Sequence, residues 1–512
     1  MKISNNITKV LLFGVFLTSA LTGCKKFLEK TDPSNLNPDS YYTIPEHAEA
    51  AIAAAYSTTR FIGGGAGIFA NNFSMLEVVT GTAKSETGQN SDLNNLIGLG
   101  YNGDNLFVRN WWNGLYSVIA QTNLVLQRVP GITPMDEAQK KRILGEARFL
   151  RAWAYFYLVR LYGDVPLILQ PVDATSEDLY PARQPIAKVY DSIVTDLTTA
   201  ETLGLPPIST TGRASLGAIK SLLAEVYLTM AGSPLSKGAS HYTLAAAKAN
   251  EVITSGGYSL FPTYLDLHLI SQENRGEHIF QIQYLIGVSE NPMQAILLPN
   301  FKGVSAYGTE VGSTVPTNQF YQSFEPGDKR VVEREGFFYT SYYNEGNGAL
   351  KALSAPYIFK HFDVIAHGTS GLAGTAQSSL NWNQIRYAQV LLSYAEAQNE
   401  VGGPTTAAWN ALKAIRDRAG LTTPALGTFT QATFREAVWR ERWHELCYEG
   451  ISWFDMVRTK KVYNSVTNQF DNFAGHKFPD NGATLADKHL LFPLPTAEMR
   501  NNPNLTPQNP GY

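Results

Sequence analysis

The stretch 145–169, GEARFLRAWAYFYLVRLYGDVPLIL, constrains this chain more than any other. At helical spacing Ile143, Ala147, Leu150, Ala154, Leu158 and Leu161 fall on one stripe, and Phe149, Trp153, Phe156 and Tyr157 widen it to most of the circumference. A helix apolar nearly all round is buried on several sides. The stretch is therefore a central helix with neighbours on more than one face, and the small residues Ala147, Ala152 and Ala154 let those neighbours come close. Thr133 with Pro134 marks its start, with Asp136 completing a weaker capping box, and Gly163 and Pro166 end it in a turn. Its aromatic stripe reads as core packing rather than a ligand site.

The 512 residues are 44% hydrophobic and 17% charged, enough to build a large core. A net charge of −3 carries no basic footprint and argues against nucleic acid as a partner. Two cysteines, Cys24 and Cys447, are too few for a disulfide scaffold or a multi-cysteine metal site. At the start, Lys2 and Lys9 precede an apolar run over 10–21, shorter than the roughly 20 residues a bilayer span takes, and this reads as a secretory signal. Leu21-Thr22-Gly23-Cys24 then resembles the bacterial lipobox, which implies a signal peptide over 1–23, acylation of Cys24 and a lipid-anchored tether over 24–42. Several acyl chains anchor stably where one binds only marginally.

Further along, Thr43-Ile44-Pro45-Glu46 reads as a capping box opening a helix to about Arg60. The glycine cluster at 63–67 follows a helix with no strand before it, a poor dinucleotide signal, and reads as a flexible loop. The next helix runs from about 104 to 129, after a long polar connection over 69–103. Pro185 and Ser215 open two more helices, the second ending at Ala231. Leu223, Ala224, Tyr227 and Gly232, followed by Tyr242, Ala245, Ala249 and Val252, come close to the tetratricopeptide scheme, and a similar pair recurs with Leu392, Ala395, Gly402, Ala408, Leu412 and Ile415. Between the pairs, about 258–383, lie Gly/Pro/Asn/Ser-rich loops, large rings and strand-like runs such as 278–284, which alternates as a half-buried strand does. A helix near 434–449 follows, and the proline-rich end from 491 onward should lie extended over the bundle. The expected fold is mostly α: tetratricopeptide-like helix pairs in an interrupted solenoid, with a loop-rich portion containing short strands. Residues 43–512 would form a single domain, with helical scaffold at about 43–257 and 384–460.

Several stretches together resemble the SusD/RagB family of outer-membrane nutrient-uptake lipoproteins. The carriers are the lipobox at Cys24, Trp112-Asn-Gly-Leu-Tyr116 with Thr122-Asn123, and Glu146-Ala-Arg-Phe-Leu-Arg-Ala152 running to Tyr162-Gly-Asp-Val-Pro-Leu167. Tyr394-Ala-Glu-Ala-Gln-Asn-Glu400, Ala414-Ile-Arg-Asp-Arg-Ala-Gly-Leu421, Arg440-Glu-Arg-Trp-His-Glu-Leu446, Glu449-Gly-Ile-Ser-Trp-Phe-Asp-Met-Val-Arg458 and the terminal Gln508-Asn-Pro-Gly-Tyr512 complete the set. The resemblance implies a SusD-like body sitting as a lid over a SusC-like TonB-dependent barrel at the cell outer membrane. It also implies binding of oligosaccharide, or in some members peptide, without cleavage. These are scaffold motifs, so no ligand residue carries over by motif.

Catalytic readings are weak. Glu441 and Glu445 lie one helical turn apart and could be imagined as a glycosidase pair, but two glutamates among arginines on one helix read as ion pairs. His444-Glu445 lacks the second histidine of a zincin, no G-x-S-x-G elbow is present, and His361, Asp363 and His367 lack further metal-ligand support. Cys447 reads as a small core residue. No metal or organic cofactor is expected. The ligand expectation rests on rings for the C–H faces of sugars and on polar groups for their hydroxyls. The candidates are Tyr101, Tyr307, Phe338, Tyr342, Tyr343 and Trp382, with Asn90, Asp92 and Asn94, and ordinary packing is the competing reading for each ring. The expected function is non-catalytic capture of an oligosaccharide and its delivery to the barrel. The alternatives are peptide capture, a surface glycoside hydrolase or a purely structural helical scaffold.

Overall fold

The computed structural model describes residues 41–86, 88–172, 176, 179–299, 312–343, 348–363 and 378–512, and the side chain of Tyr343 is not among the described parts. Cys24 and the whole lipobox therefore lie outside the described residues, as do Tyr307 and His367. The principal helices are α1 (Pro45–Thr58), α2 (Ser91–Ile97), α3 (Leu106–Arg128), α4 (Glu137–Tyr162), α5 (Ile186–Glu201), α6 (Leu216–Ala231), α7 (Ala239–Thr254), α8 (Tyr387–Gly402), α9 (Thr406–Arg418), α10 (Gln431–Glu445) and α11 (Ser452–Thr459).

Helix α4 is the apolar run. It packs on α1, α3, α5 and α6, and its buried set runs from Ile143 through Trp153 to Tyr162. Gly163, at φ 73°, closes it in a conformation that disfavours a side chain. Its start differs from expectation. Asp136 is itself the N-cap, with Oδ1 accepting from the Gln139 N–H at 2.8 Å, so the helix begins after the Thr133-Pro134 pair rather than at it. A residue before proline is pushed out of the helical region, which leaves the cap to the next short acidic side chain. The capping box expected at Thr43 does not form either. Ile44 is the N-cap with no side-chain bond, and Pro45 alone supplies the pre-set first turn.

Each helix from α3 to α8 packs on the next, and α8 also packs on α9 and α10. Helix α7 touches α8 although residues 255–386 lie between them, so the solenoid is interrupted in sequence and continuous in space. The intervening portion is built on small two-stranded antiparallel ladders. Strand β1 (Ala83–Lys84) pairs with β3 (Val315–Pro316), β2 (His278–Ile282) with β6 (Trp382–Arg386), and β4 (Phe338–Tyr343) with β5 (Leu350–Ile358). Strand β2 is buried along its whole length, not half-buried as its alternation suggested. The proline-rich end also holds one short helix, Thr496–Asn501, in the proline-free gap between Pro495 and Pro503. It anchors itself by burying Phe492, Leu494 and Leu505.

A buried ion cluster fastens the loop-rich portion to the solenoid. Arg330, from the loop-rich portion, binds Glu441 at 2.6 Å and Asp328 at 2.7 Å. Arg386, at the junction of β6 and α8, binds Glu277, Glu445 and Glu449, and Arg418 of α9 binds Glu445 at 2.6 Å and also Glu277. Burial alone would raise the Glu445 carboxyl, but Arg418, Arg386 and Arg330 hold it below its usual value. Glu449 is likewise brought down to about 2, burial being outweighed by Arg386 and Lys360. Glu77 behaves oppositely. Its Oε1 accepts from the Gly450 N–H at 2.7 Å, Oε2 has no hydrogen-bond partner among the described residues, and burial pushes it up to about 7.

Two outcomes follow for stability. Replacing Arg386 by Met leaves Glu277, Glu445 and Glu449 short of a buried counter-charge, and urea unfolding should register a loss of about 3–5 kcal/mol. Glu77 ionises near its ordinary value when unfolded but keeps its proton to about 7 when folded. Its contribution is therefore full at acid pH and falls as pH rises from there towards 7. Glu77→Gln should match the wild type near pH 4 and exceed it by up to about 3 kcal/mol at pH 8; equal curves at both pH values would refute the buried, proton-holding carboxyl.

Candidate functional site

The structure scatters the candidate residues. Asn90 is the N-cap of α2, with Oδ1 accepting from the Leu93 N–H at 3.0 Å, while its Nδ2 donates to the carbonyls of Ala66 and Ile68 at 2.8 and 3.0 Å. It is buried and acts as a tie between α2 and the glycine-rich loop. Asp92 is half-buried in the first turn of α2, and Asn94 is exposed, donating to the Gly88 carbonyl at 3.0 Å. Tyr101 is buried elsewhere, its ring 5.1 Å from Phe492 and 6.0 Å from Tyr512.

The rings of the loop-rich portion are core residues. Phe338 lies edge-on to Tyr321 and Phe324, at 5.2 and 5.4 Å. Tyr342 packs with Tyr339 at 5.6 Å, and Trp382 sits between Phe73 at 4.4 Å and His361 at 4.2 Å. At 0–3% exposure, Tyr101, Phe338, Tyr342 and Trp382 present no ring face on which a sugar could stack. The physical reason is pairing: each has found aromatic or imidazole neighbours, and a ring satisfied on both faces is worth more inside than out. Strand β4 places Tyr343 opposite Leu350. Tyr307 lies outside the described residues, but the positions flanking its segment are fixed: Gly312 donates to Leu298 at 2.8 Å and accepts from Glu86 at 3.0 Å.

An exposed ring that the sequence reading passed over stands beside α2. The glycine cluster is not a free loop. Gly65 and Asn71 pair as an antiparallel bridge, Ala66 N–H donates to the Ala70 carbonyl at 2.8 Å, and Asn71 and Asn72 side chains bind the carbonyls of Gly63 and Phe61. This lifts Ile68 and Phe69 to a tip where they are 54% and 44% exposed. Phe69 has φ 55°, a left-handed conformation uncommon for a bulky residue and held here by the hydrogen-bonded stem. A neighbouring tip, closed by mutual hydrogen bonds of Leu285 and Ser289, exposes Leu285, Ile286 and Val288. The two tips share a base, since Arg60 Nη1 donates to the Gln283 carbonyl at 3.4 Å and a Cβ on Gly63 would stand 2.8 Å from Tyr284 Oη. The available signal was the Ile-Phe pair directly after a glycine run within a polar stretch.

The residues raised as catalytic or metal-binding are engaged otherwise. Glu441 and Glu445 belong to the buried ion cluster, His361 bonds the Tyr448 carbonyl at 2.6 Å, and Cys447 is buried with its thiol pushed up to about 12. No cluster of three or more potential metal ligands occurs among the described residues.

A family model described as the SusD family matches residues 276–512, and one described as starch-binding associating with outer membrane matches 26–228. A SusD superfamily protein of Parabacteroides distasonis superposes with a TM-score of 0.85 at 38% identity, covering 93% of this chain and all of that one. The chain belongs to the SusD/RagB family. The SusD-like protein P2 of Formosa agariphila is 27% identical across 97% of this chain and 98% of its own length. A laminarin-binding SusD-like protein superposes at 25% identity with a TM-score of 0.72, covering 92% of this chain and all of that one. Among the described residues no helix is long and apolar enough to cross a membrane. The mostly helical SusD-like architecture read from the sequence is thus the observed one.

Because its backbone is strained and its ring is open, Phe69 is expected to be dispensable for folding. Phe69→Gly should leave the melting temperature unchanged or raise stability by up to about 1 kcal/mol. A loss larger than that would make Phe69 a packing residue.

Proposed function

We propose that this chain is a surface-exposed, lipid-anchored protein of the cell outer membrane that captures an oligosaccharide and passes it, uncut, to a SusC-like TonB-dependent barrel. The observation that carries the reading is the open, conformationally strained Phe69 ring, held by a rigid stem beside the polar groups of α2. A sugar ring stacks its C–H face on such a side chain, and its hydroxyls reach Asp92 and the exposed amide of Asn94. Asn90 positions the loop, Tyr307 and Tyr343 extend the contact surface, and Tyr101, Phe338, Tyr342 and Trp382 stiffen the body. Residues 43–512 act as one body in this reading, and the acylated Cys24 with the tether over 24–42 supplies reach from the membrane.

Glycan as cargo is supported by the relatives, one being laminarin-binding and one family model being starch-binding. Binding without cleavage is supported by the engagement of Glu441 and Glu445 with arginines, which leaves both carboxyls buried and ion-paired, with Glu445 held below its usual value. Calorimetry against laminarin, starch and mixed glycan oligomers tests the proposal. Phe69→Ala should weaken binding by about 1–3 kcal/mol, roughly fivefold to a hundredfold, at unchanged stability, and Asn94→Ala by less. Undiminished affinity in Phe69→Ala would reject this face. Retention of peptides but not glycans would move the cargo to the peptide class, and sugar released in proportion to protein would replace capture by hydrolysis.

A further inference from the structure

A cavity of about 410 Å³ opens where the C-terminal end of α4 meets the start of α5, helix α11 and the chain's terminal segment. It shares no lining residue with the Phe69 face. Its walls are largely apolar, with Ile186, Val457, Leu490 and Leu491 among them, and the volume falls in the range of small-molecule sites. Arg160, half-buried on its wall, is unlike Arg330, Arg386, Arg442 and Arg458, which are buried and ion-paired. Its guanidinium is sandwiched between Phe156 and Phe454, with Cζ 3.6 Å from each ring centroid, and Nε donates to the Phe156 carbonyl at 2.8 Å. Among the described residues neither Nη has a hydrogen-bond or ion-pair partner. The acids whose fields reach it are committed elsewhere: Asp455 is clasped by Arg442 and Arg458, and Glu225 takes the Ser393 hydroxyl. Desolvation lowers Arg160 to about 10, so the group remains a cation.

Tyr190 stands on the same wall. Its ring is buried, its hydroxyl has no hydrogen-bond partner among the described residues, and it lies within the electrostatic reach of Arg160. The remaining charges favour an anion. Arg458 on the wall is already matched by Glu396 and Asp455, but Arg183, Lys460 and Lys488 also line the cavity, against Asp164 and Asp487 as its carboxylates, and Asp164 is occupied in accepting from the Ile186 N–H at 2.7 Å. A guanidinium held flat between two rings, with its free edge unmatched, has the planar fork geometry that a carboxylate satisfies with two parallel hydrogen bonds.

We infer that this cavity is a second ligand site, which takes a small organic carboxylate with its charge on Arg160 and the Tyr190 hydroxyl and its apolar body against Ile186, Val457, Leu490 and Leu491. The site is independent of the glycan reading: a cargo of any kind at the Phe69 face leaves it unchanged.

The test is calorimetry on the full mature chain with 3-phenylpropionate, its neutral isostere 3-phenylpropanamide and phenyl phosphate. The carboxylate should bind with a dissociation constant of about 1 mM or tighter, and the amide about tenfold or more weakly. Arg160→Met should remove the preference for the carboxylate, and Tyr190→Phe should weaken binding several-fold. Ile186→Trp, which fills the cavity and leaves Arg160 in place, should abolish binding, and it serves if Arg160→Met does not fold. Equal binding of acid and amide, no binding of the acid at millimolar concentration, or binding unaltered in Ile186→Trp would overturn the assignment. Phenyl phosphate binding without 3-phenylpropionate binding would overturn the carboxylate class.

Discussion

The buried charge cluster around Glu445 is the constraint on which the arrangement of this protein depends. Arg386 and Arg418 both grip Glu445 and Glu277, and Arg330 reaches Glu441 on the next turn of α10. Glu277 and Arg330 belong to the loop-rich portion, Arg386 to its junction with α8, and Arg418, Glu441 and Glu445 to the solenoid. Apolar contact alone would let an insertion of that length settle in several neighbouring registers. A cation left one position out of place inside the protein would face the desolvation cost with no partner, which is far larger than the loss of an apolar contact. Matched buried charges thus fix one placement, whatever their net worth against an apolar replacement.

That fixed placement explains how α7 can pack on α8 across the insertion. The solenoid continues as though uninterrupted, and the inserted strands and loops hang from it at β2 and β6, which pair directly before α8 begins. The central helix does the equivalent work in the first half, where α1, α3, α5 and α6 all bury surface against α4. Loops carried on two such rigid supports can hold side chains in conformations they would not choose alone. Phe69 is the clearest case: its left-handed backbone is kept by the Gly65–Asn71 bridge and by Asn90.

What could be read in the sequence follows from what sequence encodes. A helix apolar on every face has one physical solution, so α4 was legible, and so were the helix pairs with small residues at their crossings. Helix starts were less so, because Asp136 and Thr133 are both competent caps and only the chain direction after Pro134 chooses between them. The site was the least legible part. A tyrosine in β4 has the same composition and spacing whether its ring meets Phe362, as Tyr342 does, or solvent. Ring-rich stretches gather rings that pack on one another, so counting aromatics finds the satellite core around Tyr339, Tyr342 and Tyr357 before it finds a surface. The exposed Phe69 ring was instead marked by its place directly after a glycine run that permits a tight hairpin, with Asn71 and Asn72 just beyond it.

An exposed ring also suits the transfer that the proposed function assigns to this protein. A protein that hands its cargo on needs a bound state shallow enough to leave, and affinity differences between related complexes lie mostly in the rate of departure. One open ring with the Asn94 amide and the Asp92 carboxylate nearby would offer stacking of modest strength and little to reorganise. A closed aromatic cage would hold longer and deliver more slowly. Under the proposed function the buried rings would serve the face indirectly, by keeping the body from yielding when cargo arrives, so that the free energy of binding is not spent on ordering the platform. Tightness is given to the scaffold, through paired charges and packed rings, and on the proposed function looseness is confined to the few side chains that would meet the ligand.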